Sequence, residues 1–353
     1  MGAGTAQGGA CLLISGKERK NMEFVVFAGV LLLLFIFMIV QELIQTKNQE
    51  KLFKKYLREN YGKEPPKEYS LERFARLGSY LERHKEEKQL DDITWNDLGM
   101  DEVFRRIDRT YSAAGEEYLY YTLRNISCGR EALEHLEEVV NWLQEQENIK
   151  VRIQLLMKRL GHLGKYSLYD YLDNLDYLGE RSNRKIVLGN LLYLPFLLLL
   201  FVQPAMGTIG IVLCMLWHIM TYFREKKVIE PYIISFAYVL RLIDVCEELE
   251  KQKIPVYRRE LDELREALKS LRELRRGAYW VMAGNQGKIG GNPLDILVDY
   301  LRMILHLDIF QFNRMLEKLR KKTGQVETML AITGYLDMAI SVGGFRKSLE
   351  GYC

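Results

Sequence analysis

Three charge-free stretches decide most of what this chain can become. Phe24 to Val40 reads FVVFAGVLLLLFIFMIV, Ile186 to Val202 reads IVLGNLLYLPFLLLLFV, and Met206 to Phe223 reads MGTIGIVLCMLWHIMTYF. Seventeen residues at the helical rise cover about 25 Å, near the lower end of what crosses a bilayer. Each run is apolar all round while the rest of the chain is amphipathic, so membrane spans are expected rather than buried core helices. Only Gln203, Pro204 and Ala205 separate the second run from the third, which predicts a hairpin with a very tight turn.

Charge orients the hairpin. Arg181, Arg184 and Lys185 precede it, Arg224, Lys226 and Lys227 follow it, and its turn carries no charge. The positive-inside rule then places both ends in the cytoplasm and the tip outside. The segment from Glu42 to Lys185 becomes cytoplasmic, and the first span has its N-terminus outside. Lys17, Arg19 and Lys20 oppose that arrangement unless synthesis starts at Met22, which makes the Gly/Ala-rich residues 1–21 a non-native or disordered start. The expected organisation is a first span at 22–43, a helix and linker at 44–69, a helical region at 70–180, the hairpin at 186–223, and further helices at 228–353. The expected location is the cell membrane, multi-pass, with the lipid bilayer as partner and the soluble parts cytoplasmic.

Helical patterns fill the soluble parts. A polar helix continues from Gln41 to about Tyr61 and ends near Gly62, before the helix-breaking pair Pro65-Pro66. LERFARLGSYLERHKEE, MDEVFRRIDRTYSAAGEEYLYYTLRNI and EALEHLEEVVNWLQEQENIKVRIQLLMKRLG follow. In the last of these, Leu133, Leu136, Val140 and Leu143 keep a three-to-four spacing. Glu230 to Lys253 forms another helix starting near Pro231, Val256 to Arg276 aligns Leu261, Leu264, Leu268, Leu271 and Leu274, and Asp295 to Lys322 forms a third. The leucine seam covers barely two heptads, so bundle packing is favoured over a coiled coil. No stretch alternates as strands do, and the soluble part is expected to be all-α.

Chemistry is sparse. Gly284 to Pro293 (GNQGKIGGNP) has two residues, not four, before its Gly-Lys, and Ile289 follows the lysine, so a loop between helices is expected rather than a phosphate cradle. Histidines 84, 135, 162, 218 and 306 lie far apart and make no metal pair. His218 sits inside the third apolar run, where a neutral imidazole within snorkelling reach of water is expected. Asp91-Asp92 and Glu116-Glu117 read as helix starts and solvated faces. Five scattered cysteines give neither a disulfide framework nor a zinc site, and a net charge of +3 is too small to imply nucleic-acid binding. Two basic clusters close helices: Arg272, Arg275 and Arg276, then Lys318, Arg320, Lys321 and Lys322. Cations there complement the helix macrodipole, and contact with nucleic-acid or headgroup phosphate is the sharper alternative. No catalytic residue, cofactor site or metal site is expected in this chain.

Ile93 to Ile126 (ITWNDLGMDEVFRRIDRTYSAAGEEYLYYTLRNI) resembles the opening of the core domain of the MutS family of DNA mismatch-repair ATPases. Val103-Phe104, Ile107-Asp108, Thr110, Ser112, Gly115, Leu119 and Leu123 stand where that family's motif has its matching types. Asp108, Thr110 or Ser112 can cap a helix start, and Gly115 lets two helices approach. The closing ITGYLDMAISVGGFRKSLEGYC resembles the segment that ends the family's core and leads into its ATPase domain. The likeness runs from about Leu71 to Cys353 apart from the hairpin, and is closest to membrane-attached MutS-like proteins of Gram-positive bacteria. It implies a core and lever whose ATP and Mg²⁺ belong to an ATPase domain lacking here, through which a homodimer would form. The Phe-x-Glu mismatch reader and the β-rich DNA clamp have no counterpart, and a membrane anchor replaces the N-terminal recognition domains.

Three readings follow from these residues. One is a membrane-held MutS-like protein, whose family role is ATP-dependent binding of mismatched DNA in repair. A second is a membrane-anchored helical scaffold that docks a protein without DNA or ATP. The third is a truncated reading frame. The final helix is expected to pack its apolar stripe on the helices between Phe104 and Leu123.

Overall fold

A computed structural model describes residues 37–38, 40–41, 44–63, 69, 71–85, 88–126, 129–163, 167–275 and 300–349. Residues 1–21, most of the run from Phe24 to Val40, Pro65-Pro66, the loop at 284–293 and Arg276 lie outside them. The chain divides into two units, residues 1–60 and 61–353. In the first, residues 44–60 form the polar helix α1, with the pairs Glu50–Lys54 at 2.5 Å and Lys55–Glu59 at 3.7 Å one turn apart. In the second unit the described residues are mostly helical. Among the described residues it has no strand, only an isolated bridge between Gln89 and Asn125.

The hairpin forms as its sequence requires. Helices α9 (Arg184–Leu191) and α10 (Tyr193–Val202) rise to a turn made by Gln203 alone, because Pro204 already occupies the first position of α11 (Pro204–Glu250). Close packing of α10 on α11 depends on Gly207 and Gly210. A Cβ would stand 2.7 Å from the Leu200 nitrogen at the first and 2.1 Å from the Phe196 ring at the second. Outward surfaces stay bare: Leu198 is 68% and Phe201 89% exposed.

Helix α11 does not restart at Pro231. It runs unbroken for 47 residues, about 70 Å. Proline costs one amide bond to the carbonyl four residues back, and the flanking turns carry the helix through. Its second half is the axis of the main core, where Phe236, Val239, Leu242, Ile243, Cys246 and Leu249 are almost wholly buried.

Around that axis pack α2 (Leu71–Arg83), α3 (Asp92–Asp97), α4 (Met100–Ile107), α5 (Ala113–Arg124), α6 (Arg130–Glu145), α7 (Glu147–Leu160), α8 (Leu168–Asp173), α12 (Arg258–Leu271), α13 (Leu307–Arg320) and α14 (Thr323–Ser348). Expected single helices prove to be pairs. An extended connector at 108–112 separates α4 from α5, and Gln146 separates α6 from α7. The helix expected from Asp295 to Lys322 is described only from residue 300 on, and there it breaks at His306, whose φ of 55° is left-handed. Leu133 is exposed, so the buried stripe of α6 comprises Val139, Val140 and Leu143. On α12, Leu261, Leu264, Leu268 and Leu271 are buried within the main core, as bundle packing requires.

Three helices in the described residues are long and apolar enough to cross a membrane: Arg184–Val202, Pro204–Glu230 and Thr323–Ser348. Surroundings separate them. Of their most apolar windows, 6%, 28% and 72% respectively are buried inside the protein. Helix α14 is therefore a core helix, packed along α5, α12, α6 and α7, in agreement with the stripe in its sequence.

Candidate functional site

The connector between α4 and α5 meets the final helix α14 in a buried polar clamp. Helix α4 ends where Asp108 turns extended, and the connector runs through Thr110 and Ser112 into α5. Ser112 caps α5, its Oγ accepting from the Gly115 amide at 3.1 Å. Across from it, α14 presents Asp337 and Ser341, one turn apart on the same face. The Asp337 carboxylate accepts from the amides of Tyr111 at 3.0 Å and Ser112 at 2.8 Å, and from the Ser112 hydroxyl at 2.6 Å. Ser341 Oγ accepts from the Arg109 amide at 2.8 Å and donates to the Ile107 carbonyl at 2.7 Å. Backbone groups orphaned between two helices are thus satisfied by a third, and the carboxylate sits at the positive end of α5.

Gly115 makes this approach possible. A Cβ there would lie 2.4 Å from Asp337 Oδ2. Asp108 anchors the other side, accepting from Thr110 Oγ1 at 2.6 Å, Thr110 N at 3.0 Å and the Tyr69 hydroxyl. Burial and the adjacent Asp108 carboxylate push the Tyr69 phenol well above its ordinary range, so it stays a donor. Phe104 and Leu119 fill the space beneath, with Leu77, Trp95, Tyr120 and Met338.

Beside the clamp, Glu116 is fully buried and held by Arg73 and by Arg76 at 2.8 Å, with His162 Nδ1 at 3.5 Å. Glu117 accepts from Ser167 Oγ at 2.9 Å. Its pKa is pushed up to about 8, chiefly by burial. These two carboxylates are not a solvated face, as their sequence implied. They lie inside because α5 is enclosed on both flanks.

The five motif residues, Phe104, Asp108, Thr110, Gly115 and Leu119, are therefore brought together, and each acts in packing or bonding. Asp337 and Ser341 went unassigned in the sequence, although a charged and a hydroxyl residue one turn apart in an apolar helix mark a buried polar face. The Ser112 and Thr110 hydroxyls that donate to carboxylates in this cluster are wholly buried, and no group of three or more His, Cys, Asp or Glu among the described residues could hold a metal ion.

The end of α13 that carries one basic cluster touches the last turn of α12, which precedes the other. Lys322 donates to the Ser270 carbonyl, two residues before Arg272. Arg320 donates to the carbonyls of Leu175 at 2.6 Å and Gly179 at 3.0 Å, and Lys321 lies 4.0 Å from Glu317. Two of the cations thus close the C-terminal ends of helices and the turn before the hairpin. Arg272 and Lys321 remain exposed, Lys318 is half-buried, and Arg275 ends a 3-10 turn.

His218 does not snorkel. It is 2% exposed, its Nδ1 donates to the Cys214 carbonyl at 2.9 Å, and its ring lies 4.9 Å from Tyr193 and 5.4 Å from His306. Gly189 of α9 lies against its ring, where a Cβ would stand 3.2 Å from His218 Nε2, and the neighbouring Asn190 donates to the Leu305 carbonyl at 3.1 Å.

No family model, curated protein or solved structure matches this chain.

Proposed function

We propose that the chain is the membrane-anchored core of a MutS-like protein, a helical strut that carries conformational change between its soluble core and the bilayer. The observation behind this reading is the Asp337–Ser341 clamp. It joins the two sequence stretches on which the MutS resemblance rests, and the joined core is built around the same 47-residue helix that forms half of the hairpin. Residues of this chain do not fit nucleotide: the glycine-rich stretch lacks the phosphate-loop spacing. ATP, Mg²⁺ and dimerisation would belong to an ATPase domain of the kind that the family joins to such a core.

Under this reading the full chain, solubilised in detergent, binds duplex DNA through the exposed cations around Arg272 and Lys321. Log affinity then falls linearly with log salt, with a slope near −0.9 for each phosphate neutralised. Arg272→Glu with Lys321→Glu lowers both affinity and slope. Absence of binding at low salt would contradict the DNA part of the proposal and favour a scaffold that docks protein. One observation already points that way: Arg320 and Lys322 are committed to internal carbonyls. Carbonate extraction tests the anchor separately, and the chain is expected in the membrane pellet.

A further inference from the structure

A groove of about 440 Å³ opens at the base of the hairpin, between α9 and α13. Its walls are Val187, Leu188, Leu191 and Phe310, and Arg184 and Asn183 stand at its end. Arg184, Val187, Leu188 and Leu191 fall on one helical stripe, so the cation and the apolar wall share a face running about 10 Å along the axis. The three aliphatic side chains are 47%, 68% and 50% exposed. Apolar surface of this kind begins at the residue where the candidate span begins and is suited to contact with hydrocarbon.

The polar floor of the groove is satisfied internally. Asn183 donates to the Phe310 carbonyl at 3.0 Å and accepts from Asn313 at 2.9 Å. Arg181 is held by Asn313 at 3.0 Å and by Glu225. Arg184 differs: it is exposed, and its guanidinium has no partner among the described residues. A lone cation at the polar end of an apolar groove complements a molecule with an anionic head and a hydrocarbon tail. We infer that this groove binds an anionic glycerophospholipid, with the headgroup phosphate on Arg184 and an acyl chain along Val187, Leu188, Leu191 and Phe310. A guanidinium suits this role because its fork matches two phosphate oxygens.

This inference rests on the bilayer placement proposed above, which carbonate extraction tests on its own. A chain that stays in the pellet yet shows no lipid preference fails the inference alone. The test is native mass spectrometry of the detergent-purified full chain titrated with phosphatidylglycerol or phosphatidylcholine. Phosphatidylglycerol is expected to be retained about fivefold more readily, the effect of one cation near an anionic group. Arg184→Ala removes the preference, Arg184→Lys keeps part of it, and Leu188→Gln weakens retention of both lipids. Equal retention of the two lipids, or an unchanged preference in Arg184→Ala, would overturn the inference. So would displacement by inorganic phosphate alone, which would mean a headgroup site without a chain groove, or a second copy of the chain covering the groove.

Discussion

Of the three described helices long and apolar enough to cross a bilayer, two of nearly equal length, the first half of α11 and α14, stand in opposite surroundings. The first half of α11 leaves most of its apolar window uncovered, whereas 72% of the window of α14 lies inside the protein. Hydropathy alone does not divide them. Their polar residues do. Helix α14 carries Asp337 and Ser341 one turn apart, and both are spent on backbone groups of the connector before α5. Unsatisfied in hydrocarbon, the same pair would be costly. In the hairpin the polar atoms are few, and close packing relies on Gly207 and Gly210.

Removing the clamp should therefore have the largest effect. Asp337→Ala strands two amides and a hydroxyl inside the core, and about 3 kcal/mol or more of stability is expected to go, read by urea or thermal melting in detergent. Wild-type melting would break the contrast between the two helices. Gly115→Ala forces a methyl group against the same carboxylate and should cost about 1–3 kcal/mol. Leu198→Ala, on the exposed hairpin face, should change the melt of the core by less than about 0.5 kcal/mol.

Glu117 sharpens the comparison through pH. Its folded pKa lies above the ordinary carboxylate value, so the folded chain holds a proton that the unfolded chain has released between about pH 4.5 and 8. Its contribution is present below that window and is lost as pH rises through it, on the order of 1 kcal/mol per pH unit. Glu117→Gln should flatten this slope, measured as melting temperature against pH. Lys321→Ala should do least, within about 0.5 kcal/mol, because its ion pair is exposed.

Much of this was legible in the sequence. The charge-free runs and the three residues between them were enough for the hairpin, and the small motif residues around Ser112 and Gly115 indicated a capped helix in close contact. Long-range bonding was not legible. The partner of Ser112 lies 225 residues away, and no local pattern names it. Breaks at 108–112 and at His306 were missed because amphipathic spacing continues across them, and tertiary bonds decide where the chain turns. Continuity through Pro231 was missed for the reverse reason: a local breaker was overridden by packing on both sides. Glu116 and Glu117 looked like surface until α2 and the residues before α8 enclosed them.

The hairpin is expected to meet lipid while α14, about as long as the hairpin's second span, is not. Labelling in native membranes with a lipid-phase carbene probe, followed by peptide mass spectrometry, tests it directly. Labels are expected on Leu188, Leu198, Phe201, Leu213 and Met220, with Leu330, Leu336 and Ile340 left bare. Equal labelling of the two sets, or an unlabelled hairpin, would contradict the account.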